Sequence, residues 1–67
     1  MKLTDQMKVM PNQQNVVIMD DNGSVYVNQE QVGEIKWAAV AAVLDCKVNE
    51  VMTNEDGTAV IVEVHQA

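Results

Sequence analysis

The sequence predicts an α+β domain of two layers: a four-stranded antiparallel sheet in a ββαββ arrangement, with one central helix packed on one face. Three observations predict this architecture. Two β-branched segments flank an Asn-Gly turn, two more flank an Asp-Gly turn, and an amphipathic segment separates the two pairs. With 67 residues, the chain has room for one small domain over residues 1–67. A domain of this size is marginally stable alone, so self-association would help it.

The N-terminal segment, residues 1–15, has three open interpretations. Leu3, Met7 and Met10 are spaced as on one face of a short helix, which Pro11 would stop. A short strand through Met7–Met10 and a flexible arm are the alternatives. We expect no separate domain here.

The first hairpin is predicted from Val16–Met19 and Ser24–Val27, which are both rich in strand-favouring residues. The residues between them end in an Asn-Gly pair, a favoured two-residue turn that would place Met19 opposite Tyr26. A three-residue turn with Gly23 in the left-handed conformation is the alternative.

The central segment predicts a single helix over about residues 29–44. Asn28 suits the N-cap, and Gln31 can complete a capping box. The second half of the segment is apolar nearly all round, so a second apolar stripe lies away from the sheet. A second copy, another protein or the N-terminal segment must cover that stripe. The expected interface residues are Trp37, Ala41 and Leu44, with Val40 beside them.

The second hairpin is predicted from Lys47–Thr53 and Thr58–Val64, with an Asp-Gly pair in the turn. Alternation in the last strand directs Val60, Val62 and Val64 towards the helix. The alternative for the first of these strands is that Lys47–Met52 continues as a helical turn after Asp45.

The net charge of the chain limits the classes of partner that it can bind. Ten acidic residues against four lysines, with no arginine, give a formal charge of −6. This balance argues against direct binding of nucleic acid or of an anionic membrane, and it permits a basic protein partner. If both turns point the same way, four carboxylates form one acidic surface, although turn acids more often serve turn geometry and solubility. These four are Asp20, Asp21, Glu55 and Asp56.

The sequence contains no pattern typical of catalysis. Cys46 and His65 are each the single residue of their type, and no spacing motif surrounds them. We therefore expect no enzyme, no metal and no cofactor. The lone Gly33 inside the predicted helix indicates either a tolerated irregularity or a close approach by another part of a backbone.

The function that fits this character is a non-enzymatic protein-interaction module that forms a homodimer, binds another protein, or does both. A small accessory or inhibitory protein of viral or mobile-element type, acting on a host protein, would have such a size and charge. The alternatives are an acidic nucleic-acid mimic that blocks a basic surface, and a small-ligand-binding domain. We expect a cytoplasmic location, because the sequence shows no signal-like or membrane-spanning segment.

Overall fold

A computed structural model describes residues 1–66 and confirms the α+β class, with four strands in one sheet and two short helices. Short 3₁₀ turns lie on both sides of the second helix, over Val32–Glu34 and Ala41–Val43. In chain order the elements are helix α1 (Leu3–Val9), strands β1 (Asn15–Asp20) and β2 (Val25–Gln31), helix α2 (Trp37–Val40), and strands β3 (Val48–Thr53) and β4 (Val60–Val64).

The sheet is mixed, so the prediction of an all-antiparallel sheet is wrong. The strand order is β2-β1-β4-β3, and both hairpins are antiparallel as expected. The two central strands run parallel, with Val16 opposite Val60 and Asp20 opposite Val64. The segment between the hairpins carries the chain from one edge of the sheet to the other, and it enters β3 in the direction that makes β1 and β4 parallel.

Both hairpins form where the sequence predicts them. The first turn is the three-residue alternative: Asp20 donates its N–H to the carbonyl of Ser24 over 2.9 Å, and Gly23 has φ +89°. In consequence Met19 lies opposite Val25 and not opposite Tyr26. The helical alternative for the start of the second hairpin is also wrong, because those residues form β3.

The single helix over residues 29–44 is wrong. Strand β2 continues to Gln31, which lies opposite Asn15, and the helix that follows covers only Trp37–Val40. The ladder with β1 gives the backbone of β2 hydrogen-bond partners, and this tertiary pairing overrides the local cap signal at Asn28. Gln29 adopts φ +54° where the ladder is irregular, which ends the regular part of this edge strand.

The core lies on one face of the sheet. The N-terminal segment does form a helix, and α1 buries Leu3 and Met7 against that face. The N–H of Leu3 donates to the carbonyl of Cys46 over 3.0 Å, which fixes the start of α1 beside the chain that enters β3. The buried apolar side chains are Leu3, Met7, Val16, Ile18, Val27, Ile35, Val40, Val43, Ala59, Val62 and Val64.

The opposite, outer face of the sheet is apolar in its middle. The ladder aligns Val17, Ile61 and Met52 in one row across three strands, and Met19 lies in the next row. Val17, Met19 and Ile61 are half-buried, because they shield one another side by side, while the side chain of Met52 at the edge is exposed. Both helices contribute their buried residues to the core face, so this outer face carries neither of them.

Candidate interaction site

A small apolar cleft lies between the C-terminal half of α1 and the start of α2. Its volume is about 220 Å³. Met7 and Ile35 are buried members of the core that reach the cleft, so its inner wall is continuous with the packed interior. The residues that line it are Met7, Lys8, Asn12, Val32, Gly33, Ile35 and Trp37.

The loop after α1 forms one side of the cleft because two backbone hydrogen bonds hold it. Gly33 donates its N–H to the carbonyl of Asn12 over 2.9 Å, and Val32 donates to the carbonyl of Gln14 over 3.0 Å. A Cβ at position 33 would lie 3.0 Å from the Cβ of Asn12 and 3.3 Å from its carbonyl oxygen. Of the two interpretations of Gly33, the structure shows the close approach, and the approaching backbone belongs to the same chain.

Trp37 is the most prominent apolar side chain of the cleft, with 60% of its surface exposed. It is the first residue of α2, and Val40 and Val43 on the following turns are fully buried. These two valines fix the short helical segment to the core, which leaves the indole at the rim of the cleft. Lys8 and Asn12 give the rim a cation and an amide.

The residues of the expected interface do not form one exposed stripe. Trp37 and Ala41 are exposed, Leu44 is half-buried against the core, and Val40 is fully buried. The predicted stripe requires a continuous helix, and the change to a 3₁₀ turn at residue 41 alters the angle between successive side chains. Val40 therefore has a core position, and Trp37 faces the cleft without the other members of the stripe.

Asp20 is buried, with only 3% of its surface exposed, so it cannot belong to an acidic surface. Its Oδ1 accepts the N–H groups of Asn22 and Ser24, each over 2.9 Å, and its Oδ2 accepts the hydroxyl of Tyr26 over 2.8 Å. Burial raises the pKa of this carboxyl, but the hydrogen bonds from Tyr26, Ser24 and Asn22 outweigh burial and leave the pKa below its ordinary value. The same hydrogen bond raises the pKa of Tyr26.

Asp21 holds the C-terminal residues against the first turn. Its Oδ2 lies 2.7 Å from Nδ1 of His65, and its Oδ1 accepts the N–H of Gln66 over 3.2 Å. The hydrogen bond from His65 is the main cause that lowers the pKa of the Asp21 carboxyl, and the Gln66 N–H adds to it. Sequence patterns assign no role to His65, because no local signal links two residues so far apart in the chain.

The other two acidic residues lie at the opposite end of the sheet. Glu55 and Asp56 belong to the turn between β3 and β4, at the N-terminal end of β4. Because β1 and β4 are parallel, the turn that holds Asp21 lies at their C-terminal ends instead. Asp56 accepts the hydroxyl of Thr58 over 2.7 Å, the main contact that lowers its pKa. The structure therefore does not bring the four carboxylates together.

The candidate metal-ligating side chains within residues 1–66 are not clustered. No group of three or more His, Cys, Asp or Glu in this range is placed to hold a metal ion. Cys46 is a half-buried free thiol, and the side-chain partner of His65 is Asp21. In the same range, no helix has the length and apolar character needed to cross a membrane.

Comparisons with models of protein families, with curated proteins and with solved structures found no match to this chain.

The sequence does not predict the cleft, and the close approach considered at Gly33 is the one feature of it that was expected. Its walls come from two separate segments, residues 7–12 and 32–37, and only the fold brings them to the same place.

Proposed function

We propose that the protein is a non-catalytic protein-interaction module, and that it holds an apolar side chain of another protein in the cleft beside Trp37. The observation that supports this proposal is the 60% exposure of Trp37 next to an apolar cleft. Tryptophan is among the residues that most often carry binding energy at protein interfaces, where it packs into or against a pocket. Exposed apolar surface rimmed by polar groups is typical of such sites.

The dimensions of the cleft favour a side chain over a free small molecule. Its volume of about 220 Å³ is below the roughly 300–1,000 Å³ of typical ligand pockets. One large aliphatic or aromatic side chain would fill a space of this size. The amide of Asn12 and the ammonium of Lys8 at the rim would then meet the backbone or a polar neighbour of that side chain.

The biological role that we propose is that of a small accessory or inhibitory protein of viral or mobile-element type. This rests on the small size and on the charge of −6, and a cytoplasmic location belongs to the same proposal. The acidic-mimic alternative has less support, because Asp20 is buried and the remaining acids are divided between two ends of the sheet.

A selection of displayed random peptides against the immobilised protein would test the proposal. Peptides retained by the wild type are sequenced without counter-selection, and each enriched peptide is titrated into the wild type and into Trp37→Ala. The chain contains a single tryptophan, so its fluorescence reports directly on the cleft. We expect enriched peptides to share one large apolar residue and to shift the emission to shorter wavelength, because they cover the indole.

Val9→Ala is the matched control, because Val9 is an exposed apolar residue of α1 that does not line the cleft. It should bind the enriched peptides like the wild type. The proposal fails if enriched peptides bind Trp37→Ala with unchanged affinity, or if they bind without any change in the tryptophan emission.

A further inference from the structure

The two edges of the sheet differ in how open they are to another strand. On the β2 edge the ladder is irregular, Gln29 has positive φ, and the exposed segment 28–31 is wholly polar. Such irregularities and polar edges prevent the addition of a further strand. On the β3 edge the pairing with β4 is regular from Glu50 to Thr53, and Val51 and Met52 are exposed. This segment has no proline and no lysine.

The start of β3 already pairs on its outer side. Val48 donates its N–H to the carbonyl of Met1 over 2.8 Å, and Lys2 lies opposite Lys47 in an isolated antiparallel bridge. The N-terminal residues therefore occupy the edge as far as Val48. Beyond that residue the outer edge of β3 carries no strand from residues 1–66.

The hydrogen-bonding phase of β3 shows which backbone groups face outwards. Asn54 donates its N–H to the carbonyl of Ala59, which places Asn54 in an inward-bonding position. Since positions alternate in an antiparallel ladder, Met52 also bonds inwards to β4, while Val51 and Thr53 direct their N–H and C=O groups away from the sheet. The N–H of Val48 also points outwards, because the irregularity between Val48 and Glu50 adds one residue to β3 and so reverses the alternation.

We propose that the β3 edge is the site at which a second copy of this chain docks, by antiparallel pairing of β3 with β3 about a two-fold axis at Met52. In this register Val51 of each copy lies opposite Thr53 of the other, and the outward groups of these residues form the intermolecular hydrogen bonds. Met52 then lies opposite Met52 of the second copy. The contact is separate from the cleft beside Trp37, so it does not depend on the function proposed above.

The occupant is a second copy because this register makes the edge self-complementary. The row Val17–Ile61–Met52 on the outer face is continued by the same row of the second copy, so one apolar row crosses both sheets. Glu50 lies opposite Asn54 of the other copy, and the two Glu50 carboxylates are kept apart. The side chain of Met52, which is exposed at the edge of the monomer, becomes buried in the dimer.

A disulfide trap tests this register. In a Cys46→Ala background, Met52→Cys places two thiols opposite each other at a non-hydrogen-bonded pair, where the Cα atoms are about 4.5 Å apart, a separation that a disulfide can span. Val25→Cys is the matched control, because Val25 lies on the same outer face at the other edge and is 54% exposed against 41% for Met52. Under mild oxidation we expect Met52→Cys to form covalent dimer roughly tenfold faster than Val25→Cys, because association raises the effective thiol concentration.

Sedimentation equilibrium over a dilution series gives the second measurement. The wild type should show a dimer that dissociates on dilution, and Val51→Pro should shift the population to monomer. This substitution removes an outward N–H, a change that edge strands tolerate, and circular dichroism checks that the fold is kept. A wild type that stays monomeric at every concentration would overturn the proposal. Equal cross-linking at positions 25 and 52 would overturn it too, because that result indicates stacking of the outer faces.

Discussion

The hydroxyl of Tyr26 donates a hydrogen bond to Oδ2 of Asp20 over 2.8 Å, and so ties the beginning of β2 to the last residue of β1. The other carboxylate oxygen accepts the N–H groups of Asn22 and Ser24 within the turn. One buried carboxylate thus satisfies two backbone donors and one side chain. We therefore expect the ionised form of Asp20 to stabilise the conformation of the first turn.

Asp20→Asn should lower the melting temperature at neutral pH, because the amide has a single acceptor oxygen and no charge. The hydrogen bonds leave the pKa of Asp20 in the folded state below its ordinary value of 3.8. A lowered pKa contributes stability above the ordinary value, and this contribution is lost as the pH falls through the folded-state pKa. Urea unfolding of both proteins should show a difference in stability that is constant near neutrality and shrinks below pH 3.8.

Asp5→Asn is the control for this prediction, because Asp5 is an exposed acid whose carboxylate makes a longer hydrogen bond of 3.3 Å to the N–H of Lys2. Its effect at neutral pH should be the smaller of the two. A stability difference between wild type and Asp20→Asn that stays the same at low pH would show that the charge of Asp20 does not stabilise the turn.

The parts of the fold that are encoded locally could be predicted from the sequence. Both hairpins carry their own turn residues, and Gly23 and Gly57 adopt the positive φ that such turns require. The conformation of the central segment, residues 29–44, could not be predicted in the same way. Asn28 and Gln31 offer a correct cap in isolation, but pairing of Gln31 with Asn15 across the sheet decides the conformation.

The candidate sites depended on how the elements pack together, which the sequence does not specify. The acidic surface required both turns to lie at one end of the sheet, and the parallel pairing of β1 with β4 separates them. The expected interface required Trp37 and Val40 to share an exposed surface, and Val40 lies in the core instead. An apolar residue in a short amphipathic segment gives no signal of which side the sheet will cover.

The contact between Asp21 and His65 predicts an ordered C-terminal segment. Asp21→Asn removes the charged acceptor for Nδ1 of His65 and weakens the acceptor for the N–H of Gln66. At neutral pH the Gln66 amide should lose its protection from hydrogen exchange and move towards the chemical shift of an unstructured chain. The wild type should change in the same direction on acidification below 3.8, because hydrogen bonding lowers the pKa of Asp21 from that value.

Asp45→Asn serves as the control for the C-terminal contact. Asp45 is exposed, and its carboxylate lies 3.8 Å from the ammonium of Lys2. The Gln66 resonance should be unaffected by this substitution. If Asp21→Asn leaves the Gln66 amide unchanged, then the backbone hydrogen bond from Asp21 to Val64 suffices to hold the segment.

Gly33→Ala should destabilise the protein by about 1–3 kcal/mol, the usual cost of an added methyl group in a space without room for it. The new Cβ would lie 3.0 Å from the Cβ of Asn12, so the loop must move away and strain the hydrogen bond from Gly33 to Asn12. Urea unfolding monitored by circular dichroism measures this change. Gly33→Ser should cost a similar amount, and a neutral effect of both variants would mean that the loop after α1 moves freely.

Val40→Ala should destabilise the protein more than Trp37→Ala, although tryptophan is the larger side chain. Val40 is fully buried, and its truncation should cost about 2 kcal/mol or more, from two lost methyl groups and the cavity that remains. Trp37 is 60% exposed, so its truncation should cost about 1 kcal/mol or less. Urea unfolding followed by circular dichroism compares the two variants without relying on tryptophan fluorescence. A larger loss for Trp37→Ala would mean that the indole closes over the cleft and belongs to the core, and the cleft would then have no place for a partner's side chain.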